Sequence, residues 1–585
     1  MWGLNKLYLL MEKQHNRGQD GAGIAAIKLN VEPGHPFMHR IRSAQPQAIG
    51  ALFQNIAEEV NELTKYNPEI VNHPGLMKGH VKFLGELLLG HLRYGTQGKN
   101  NAEFCHPFLK RHTITTRNLA LAGNFNLVNT EELFNKLGIE PGPFQKQSDL
   151  AAMMEIVHKH LVDADEASPA KPDIKNVLKE VIPQFDGGFT VGGVTGDGVG
   201  FVFRDPHGIR PCYYYIDDDV IVAASERAAI RTTFNVGENE VKELMPGNAL
   251  IVHEDGSYEI EGVVEPKERK ACSFERIYFS RGSDEKIYKE RKALGFNLSE
   301  QVLNAIDFDL KNTIFSYIPN TAEVAFLGLQ KGMQMYLNKI KIERILSWGK
   351  DYDEEKLEEM INRRIRVGKI AIKDVKMRTF ITEDASRNEM VQHVYDITYG
   401  TVRPGIDTIV IIDDSIVRGT TLKQSIIKML ARLQPKKILI LSSAPQIRYP
   451  DCYGIDMSKM GDFIAFNAAV EILKDRGQEG LLHDLWQQCK DLKAQNLLHT
   501  ENLVQKIYKS STSTEISNKI AEMITPKDLG LPVQVIFQSI EDLHKACPNN
   551  LGDWYFTGNY PTPGGNRVVN QAFMNYMEGK NERGY

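Results

Sequence analysis

Two adjacent carboxylates, Asp413 and Asp414, close an apolar run in IDTIVIIDDSIVRGTT (406–421), and Ser415, Ile416, Val417, Arg418, Gly419, Thr420 and Thr421 follow at once. The run Ile409–Ile412 predicts a buried parallel strand, and the carboxyl end of such a strand is where α/β folds hold ligands. The threonines then open a helix. A helix N-terminus offers unpaired N–H groups and the positive end of a dipole, which suits a phosphate. Ser415, Thr420 and Thr421 add hydroxyl donors, and Gly419 lets the backbone come close. The acids themselves repel phosphate. As acceptors they suit vicinal sugar hydroxyls, and as hard oxygen donors they suit Mg2+. Diol, cation and phosphate on one strand end describe a phosphorylated pentose. A diacid alone reads more plainly as a solvated strand end before a helix cap; the full run is more specific than that.

The elements that must hold this site run from about residue 276. TIFSYIP (313–319), TIVIIDD (408–414) and KILILSSA (437–444) have too few polar residues for a wet face, so they predict a parallel sheet covered on both sides, with helices at 322–336 and 420–433. Residues 336–370 form a charged insert that reads as a surface helical hairpin. After 470 the chain reads as helical, with a loop at 510–514 and an irregular tail from 553. The first 270 residues differ in texture. Short apolar runs broken by glycine (21–29, 119–128, 189–203) alternate with helices near 53–66 and 148–162, which predicts an α+β domain of stacked sheets. In the second helix Leu150, Met153, Met154, Val157 and Leu161 fall at helical spacing and read as core. A hairpin at 246–260 and a polar connector join the two parts, so the expected division is 1–270, 271–500 and a helical and irregular extension, 501–585.

The bulk numbers narrow the field. The chain has 585 residues, 42% hydrophobic and 25% charged, with a net charge of −5. That gives no basic field for nucleic acid. No apolar run has the length of a membrane helix, and the N-terminus lacks a secretory cleavage pattern. Six scattered cysteines (105, 212, 272, 452, 489, 547) form no CxxC pair and read as reduced thiols of a cytoplasmic protein.

The run 406–421 resembles the signature of the phosphoribosyltransferases, which bind 5-phosphoribosyl 1-diphosphate (PRPP). The front part carries NRGQDGAG (16–23), GHLRYGT (90–96), LAGNFNLVN around Asn124, Ser148-Asp149, RDPHGIRP (204–211) and Ser225-Glu226. In order and spacing these resemble the glutamine-hydrolysing domain of the N-terminal-nucleophile (Ntn) amidotransferases. The pairing is similar to the amidophosphoribosyltransferase family, with further matches at 271–281, 318–321, 378–381, 444–457 and 556–562. The resemblance implies an αββα Ntn domain followed by an α/β type I phosphoribosyltransferase domain. It implies formation of 5-phosphoribosylamine, glutamate and diphosphate from PRPP and glutamine, the first step of purine biosynthesis, with Mg2+, in a homotetramer. By resemblance, Arg93 holds the carboxylate of glutamine through its forked guanidinium, and Asp149 holds the α-ammonium unless it merely caps a helix with Ser148. Asn124 and the N–H of Phe125 form an oxyanion hole. Asp413 and Asp414 take the ribose hydroxyls and the metal, aided by Thr321, and 415–421 cradles the 5-phosphate. His15, His91 and His207 read as structural.

The pattern breaks in places. The family attacks glutamine with an N-terminal cysteine whose own amine is the base; this chain begins Met1-Trp2, and only thirteen residues precede Gln14. The nucleophile and a strand are therefore expected to be missing together, through truncation rather than decay, since Arg93, Asn124 and Asp149 remain. The chain as written is expected to lack glutaminase activity. Phe125 stands where the family has glycine, Asn320-Thr321 where it has Asp-Ser, and the loop before RTFI offers only Lys373 and Lys376. Of the cysteines that hold an iron–sulfur cluster in some members, Cys272 alone is in place, so no cluster is expected. Two alternatives remain: an ammonia-dependent PRPP aminase with an inert front domain, and a non-catalytic PRPP-sensing regulator.

Overall fold

The computed structural model describes residues 1–585 apart from 33, 96–100, 168–170, 350–352, 374–394, 421, 456, 581 and 585, and the side chain of residue 147. In the front half β1 (Gly21–Ile27), β2 (Met38–Ser43) and β3 (Leu87–Arg93) pair antiparallel in the order β2-β1-β3. β4 (Phe108–Lys110), β5 (Leu119–Leu127), β6 (Gly187–Thr195) and β7 (Gly200–Arg204) follow. Next, β8 (Tyr213–Ile216), β9 (Ile221–Ala224) and β10 (Lys242–Glu243) make a second three-stranded sheet, β10-β8-β9. β11 (Asn248–Val252) and β12 (Tyr258–Gly262) complete a six-stranded sheet, β12-β11-β7-β6-β5-β4.

Strand alternation builds four layers. Leu119, Leu121, Phe189, Val191, Phe201 and Phe203 face the helix Asp149–Ala167, whose Leu150, Met153, Met154, Val157 and Leu161 bury against them, as expected of that stripe. Ala120 and Val194, pointing the other way, meet Ala25, Ile27 and Met38 of the β1–β3 sheet. The outer face of that sheet, Ala22, Ile24 and Ala26, is covered by Leu4 and Met11 of the helix Trp2–Glu12 and by Leu52 and Ile56 of Ala48–Tyr66. The β8–β10 sheet lies over the same six-stranded sheet, through Cys212, Leu244, Ala223 and Val202. The result is the αββα sandwich that the resemblance implies. Its second layer is divided: among the described residues β3 pairs only with β1, and β9 only with β8, and both unpaired edges line one cavity.

The rear half is a five-stranded parallel sheet, β14-β13-β17-β18-β19, from β13 (Thr313–Tyr317), β14 (Arg366–Val367), β17 (Thr408–Asp413), β18 (Lys437–Ser442) and β19 (Val533–Phe537). A short antiparallel pair, β15 (Ala371–Lys373) and β16 (Tyr395–Ile397), stands apart. Ile409, Ile411, Ile438 and Ile440 fill the core on one face, and Val410, Ile412, Leu439 and Leu441 on the other, all without exposure. That is why these strands show no polar alternation.

Four expectations need revision. The stretch 336–370 is not wholly an insert: the helix Glu323–Trp348 is continuous, pairs with Glu354–Asn362 as a hairpin (Lys341 Nζ donates to the Ile361 carbonyl, 2.9 Å), and Arg366–Val367 belongs to the sheet. The segment after 500 is not only helical and irregular, because β19 pairs in parallel with β18. The serine/threonine patch at 510–514 is a helix cap, with Thr512 and Glu515 forming a capping box at the head of Ser513–Ile524. The tail from 553 likewise ends in a helix, Pro563–Met577.

The halves are joined by buried charge. Arg17 donates to Glu226 (2.7 Å) and to Glu275 (2.8 Å), and Arg210 Nη2 lies 2.8 Å from Glu275. Asn16 adds hydrogen bonds to Glu226 and to the carbonyl of Phe279, both 2.8 Å. Although desolvation opposes its charge, the guanidinium groups of Arg17 and Arg210 hold the Glu275 carboxyl down to about 2. A depressed carboxyl contributes stability that is present above its ordinary value and lost as pH falls through the folded one. Glu275→Ala removes the ion-pair partner of Arg210 and one of the two carboxylates on Arg17, so a loss of roughly 3–5 kcal/mol is expected at pH 7.5, read from the urea midpoint, and the gap to wild type should shrink as pH falls from about 5 toward 2.

Candidate active site

One cavity of about 700 Å³ lies between the halves. Arg93, Asn124, Phe125 and Asp149 line it from the front half, and Ser415 and Val417 from the rear. Sequence motifs more than 250 positions apart thus open on one space.

On the front side, Arg93 is the last residue of β3 and is buried, with its guanidinium 5.7 Å from the ring centre of Phe104. The NRGQDGAG motif serves this strand end. The Arg93 carbonyl accepts from Asp20 N–H (3.0 Å), the Asp20 carboxylate accepts from Gly95 N–H (2.7 Å), and a side chain at Gly18 would strike the backbone of Leu92 and Arg93. Asn124 and Phe125 sit in β5, opposite Thr190 and Phe189 of β6. The two histidines beside them are uncharged. Burial lowers His91 to about 4 and holds His106 well below its usual range. His91 Nε2–H donates to the Gly123 carbonyl (3.0 Å), while His106 Nδ1 accepts from Gly123 N–H (3.4 Å). His207 donates from Nδ1 to the Glu268 carbonyl (2.9 Å) and lies outside the cavity lining. His15 Nδ1–H likewise donates to the Glu12 carbonyl (2.8 Å), so these side chains are occupied by backbone partners.

Asp149 opens its helix, but Ser148 carries the cap contact, accepting from Ala151 N–H (3.4 Å). Asp149 instead turns back to β5 and accepts from Leu127 N–H (3.0 Å). Burial raises its carboxyl to about 6, against the backbone bond and the positive charge of Arg583. A carboxylate held this way, desolvated and under-compensated, favours a cationic ligand. Cys212 also lines the cavity, yet burial pushes its thiol up to about 12, which removes it as a nucleophile at neutral pH.

On the rear side, Asp413 ends β17 and Asp414 begins the loop. Asp413 Oδ1 accepts from Asp414 N–H (2.8 Å), Asp414 Oδ1 accepts from Ser415 Oγ (2.9 Å), and Ser443 Oγ donates to the Asp414 carbonyl (3.1 Å). The Thr321 hydroxyl also bonds to Asp414. Desolvation and the neighbouring acid raise Asp413 well above its usual range, and desolvation raises Asp414 to about 6. Tyr278 and Tyr395 are each pushed up to about 12, by burial first and then by these two acids. Three oxygen-bearing side chains, Thr321, Asp413 and Asp414, therefore converge with more negative charge than their surroundings neutralise, which fits a hard cation.

Past the acids the loop turns. Ile416 is buried, Val417 accepts from Ile464 N–H through its carbonyl (2.9 Å), and Arg418 swings outward to Asp462 (2.8 Å). Gly419 has φ +69°, and a Cβ there would press on Ile524 and Ile464 at 3.1 and 3.3 Å. The glycine is thus needed for the left-handed turn and for packing, in addition to any close approach to a ligand. Thr420 is the exposed first helical residue; Thr421, Thr96, Lys376 and RTFI (378–381) lie outside the described residues. Lys373 is described, and its charge acts on Asp413.

Sequence reasoning missed the segment between the two groups. Glu275–Phe279 is a turn of π-helix whose Tyr278 and Phe279 line the cavity together with Asn124 and Ser415. Its only sequence signal was the match at ACSFERIYFSR. The position of Cys272 is also informative: its thiol bonds to the Tyr555 hydroxyl (2.7 Å), and Trp554, Tyr555 and Phe556 fill the surrounding core.

The raised acids have a measurable consequence. A group whose carboxyl is raised stabilises the fold below its ordinary value and loses that contribution as pH climbs through the folded one. Asp413→Asn is therefore expected to raise the apo melting temperature at pH 7.5, with the gain vanishing below about pH 4, while abolishing saturable Mg2+–PRPP binding. Calorimetry across pH 4–8 checks the first expectation and titration the second.

Comparison with known proteins places this geometry. A family model described as a glutamine amidotransferase domain matches residues 107–232. An amidophosphoribosyltransferase of Archaeoglobus fulgidus is 28% identical over 472 residues, covering 79% of this chain and 84% of that one. That of Bacillus subtilis is 29% identical over 477 residues, covering 80% and 82%. A solved structure of glutamine PRPP amidotransferase from B. subtilis, complexed with ADP and GMP, has the same fold, with a TM-score of 0.63, 24% identity and coverage of 95% of this chain and 94% of that chain. In its two-part architecture, and in sequence over about four fifths of its length, the chain is similar to the amidophosphoribosyltransferases.

Proposed function

We propose that this protein is a glutamine amidotransferase of the pentosyltransferase type, forming 5-phosphoribosylamine from PRPP at the head of purine biosynthesis. The observation that carries this reading is the single cavity lined by Arg93, Asn124 and Asp149 on one side and by Ser415 and Val417 on the other. Ammonia released into bulk water at neutral pH becomes ammonium, which is no nucleophile. A walled path between donor and acceptor sites solves that problem.

At the acceptor end, Asp413 and Asp414 hold the ribose 2- and 3-hydroxyls, and the loop 415–421 takes the 5-phosphate. When bound, Mg2+ neutralises charge on the leaving diphosphate, held near Thr321, Asp413 and Asp414. The ammonia lone pair forms the bond to C1 as the bond from C1 to the diphosphate oxygen breaks, and nitrogen then loses a proton. The chain's own contribution is positioning and exclusion of water, because the transition state at C1 is dissociative. At the donor end, Arg93 holds the α-carboxylate of glutamine and Asp149 its α-ammonium. Asn124 and Phe125 N–H face the amide oxygen.

The boundary near 270 separates the two halves, and the phosphoribosyltransferase sheet runs past 500 through β19. Six unpaired, buried cysteines suit a reducing cytoplasm. Exposed Met335, Ile342, Leu346 and Ile361 on the hairpin of the rear half support a homo-oligomer.

In the 1–585 polypeptide no thiol of the cavity is activated, which favours ammonia as its nitrogen source. Purified 1–585 is expected to release diphosphate from PRPP with Mg2+ and an ammonium salt, more rapidly as pH rises toward 9, and to release no glutamate from glutamine. Asp414→Asn should lower the ammonia-dependent rate at least about 100-fold. Diphosphate release that ignores ammonia, or survives Asp414→Asn, contradicts the assignment; measurable glutamate release contradicts the nitrogen source.

A further inference from the structure

The hairpin of the rear half departs from the ordinary pattern of a surface helix. Its long arm, Glu323–Trp348, has 26 residues, and Met333, Leu337 and Lys341 bury its inner face. A surface helix keeps polar side chains opposite such a face. Here, at about 100° per residue, Met335, Ile342 and Leu346 fall within about 40° of one another on the opposite side. They are 52%, 59% and 75% exposed. Ile361 of the short arm is half exposed too, and its carbonyl accepts from Lys341, the residue before Ile342. An apolar stripe about 16 Å long therefore runs along the solvent side of the arm. None of its residues lines the cavity, so neither substrate site accounts for it.

An apolar stripe of this kind marks a surface that something covers, and the charges beside it indicate what. Lys339 and Glu343 stand one turn apart on a single flank, mostly exposed, with their charged atoms 3.9 Å apart. A pair so open to water gains little within its own helix. Turned end for end, the two charges are complementary to themselves. When two copies of the arm pack antiparallel about a twofold axis between Ile340 and Lys341, Met335 of each meets Leu346 of the other. Ile342 then sits near the axis. A twofold normal to the helices keeps each flank on its own side, so Lys339 of one copy stands beside Glu343 of the other, twice over. Such a contact is isologous and closes at two copies.

We propose that the outer face of the hairpin is an interface with a second copy of this chain, an antiparallel helix pair centred near Lys341 that covers Met335, Ile342 and Leu346 and pairs Lys339 with Glu343 across the twofold axis. This deepens the homo-oligomer reading above and rests on it, not on the assignment of the reaction.

Sedimentation equilibrium of the full 1–585 polypeptide over a wide concentration range tests the proposal. The variants are Ile342→Glu, Leu346→Glu, Lys339→Glu, Glu343→Lys, and an equimolar mixture of the last two. All four side chains are exposed in the protomer, and far-UV circular dichroism serves as the folding control. Wild type is expected to associate, and Ile342→Glu and Leu346→Glu each to halve its mass with the dichroism unchanged. Lys339→Glu and Glu343→Lys are each expected to weaken association about five- to tenfold, since two repulsive pairs replace two attractive ones. Mixed, they are expected to regain wild-type association, because each then meets the opposite charge on its partner; an ion pair confined to one helix is not restored by mixing. Wild type that is monomeric throughout overturns the interface and the homo-oligomer reading together. Association that ignores Ile342→Glu and Leu346→Glu overturns the interface and leaves the homo-oligomer reading standing. Loss of association in those variants without recovery in the mixture overturns the antiparallel pairing.

Discussion

A buried carboxylate between two guanidinium groups governs this molecule. Glu275 has no exposure to speak of, and it is held ionised by Arg17 from the front half and Arg210 from the hub of RDPHGIRP. Charges so deeply buried are tolerated only in near-complete pairing, so the three groups fix one relative placement of the halves. Everything at the cavity follows from that placement. The π-helical turn that begins at Glu275 carries Tyr278 and Phe279 into the lining of the cavity. The first of these feels Asp413 and Asp414, while the carbonyl of the second accepts from Asn16.

Desolvated charge recurs in this molecule with opposite intent. Glu275 is fully compensated and serves architecture. Asp149, Asp413 and Asp414 are under-compensated and have carboxyls raised above the usual range by burial. Structural carboxylates tend to be satisfied within the protein, and ligand-binding ones leave some of their charge to be met by what they bind. The cost is stability in the absence of ligand, which the raised acids lower at neutral pH.

How much of this was legible in the sequence depended on whether the signal was local. The run 406–421 could be read because strand, acids, turn and helix start are consecutive; β17 ends at Asp413 and the helix begins at Thr420. An α+β domain of stacked sheets was legible from alternation in 119–128 and helical spacing in 148–162, whereas the αββα order of layers came from the resemblance alone. The role of NRGQDGAG was not, because Arg17 acts on Glu226 and Glu275, more than 200 positions away, and Gly18 is required by its closeness to β3. β19 was hidden for a related reason: VQVIF is short, and only its neighbour β18 makes it a sheet strand.

The central claim is that nitrogen donor and sugar acceptor open on one cavity between the halves. A crystal structure of the protein with Mg2+ and PRPP tests it most directly. The account predicts the 5-phosphate on residues 415–421, the ribose hydroxyls on Asp413 and Asp414, and C1 turned past Tyr278 into the cavity toward Asn124. A sugar bound elsewhere, or one held on the diacid with C1 facing solvent and walled off from Asn124, would contradict it.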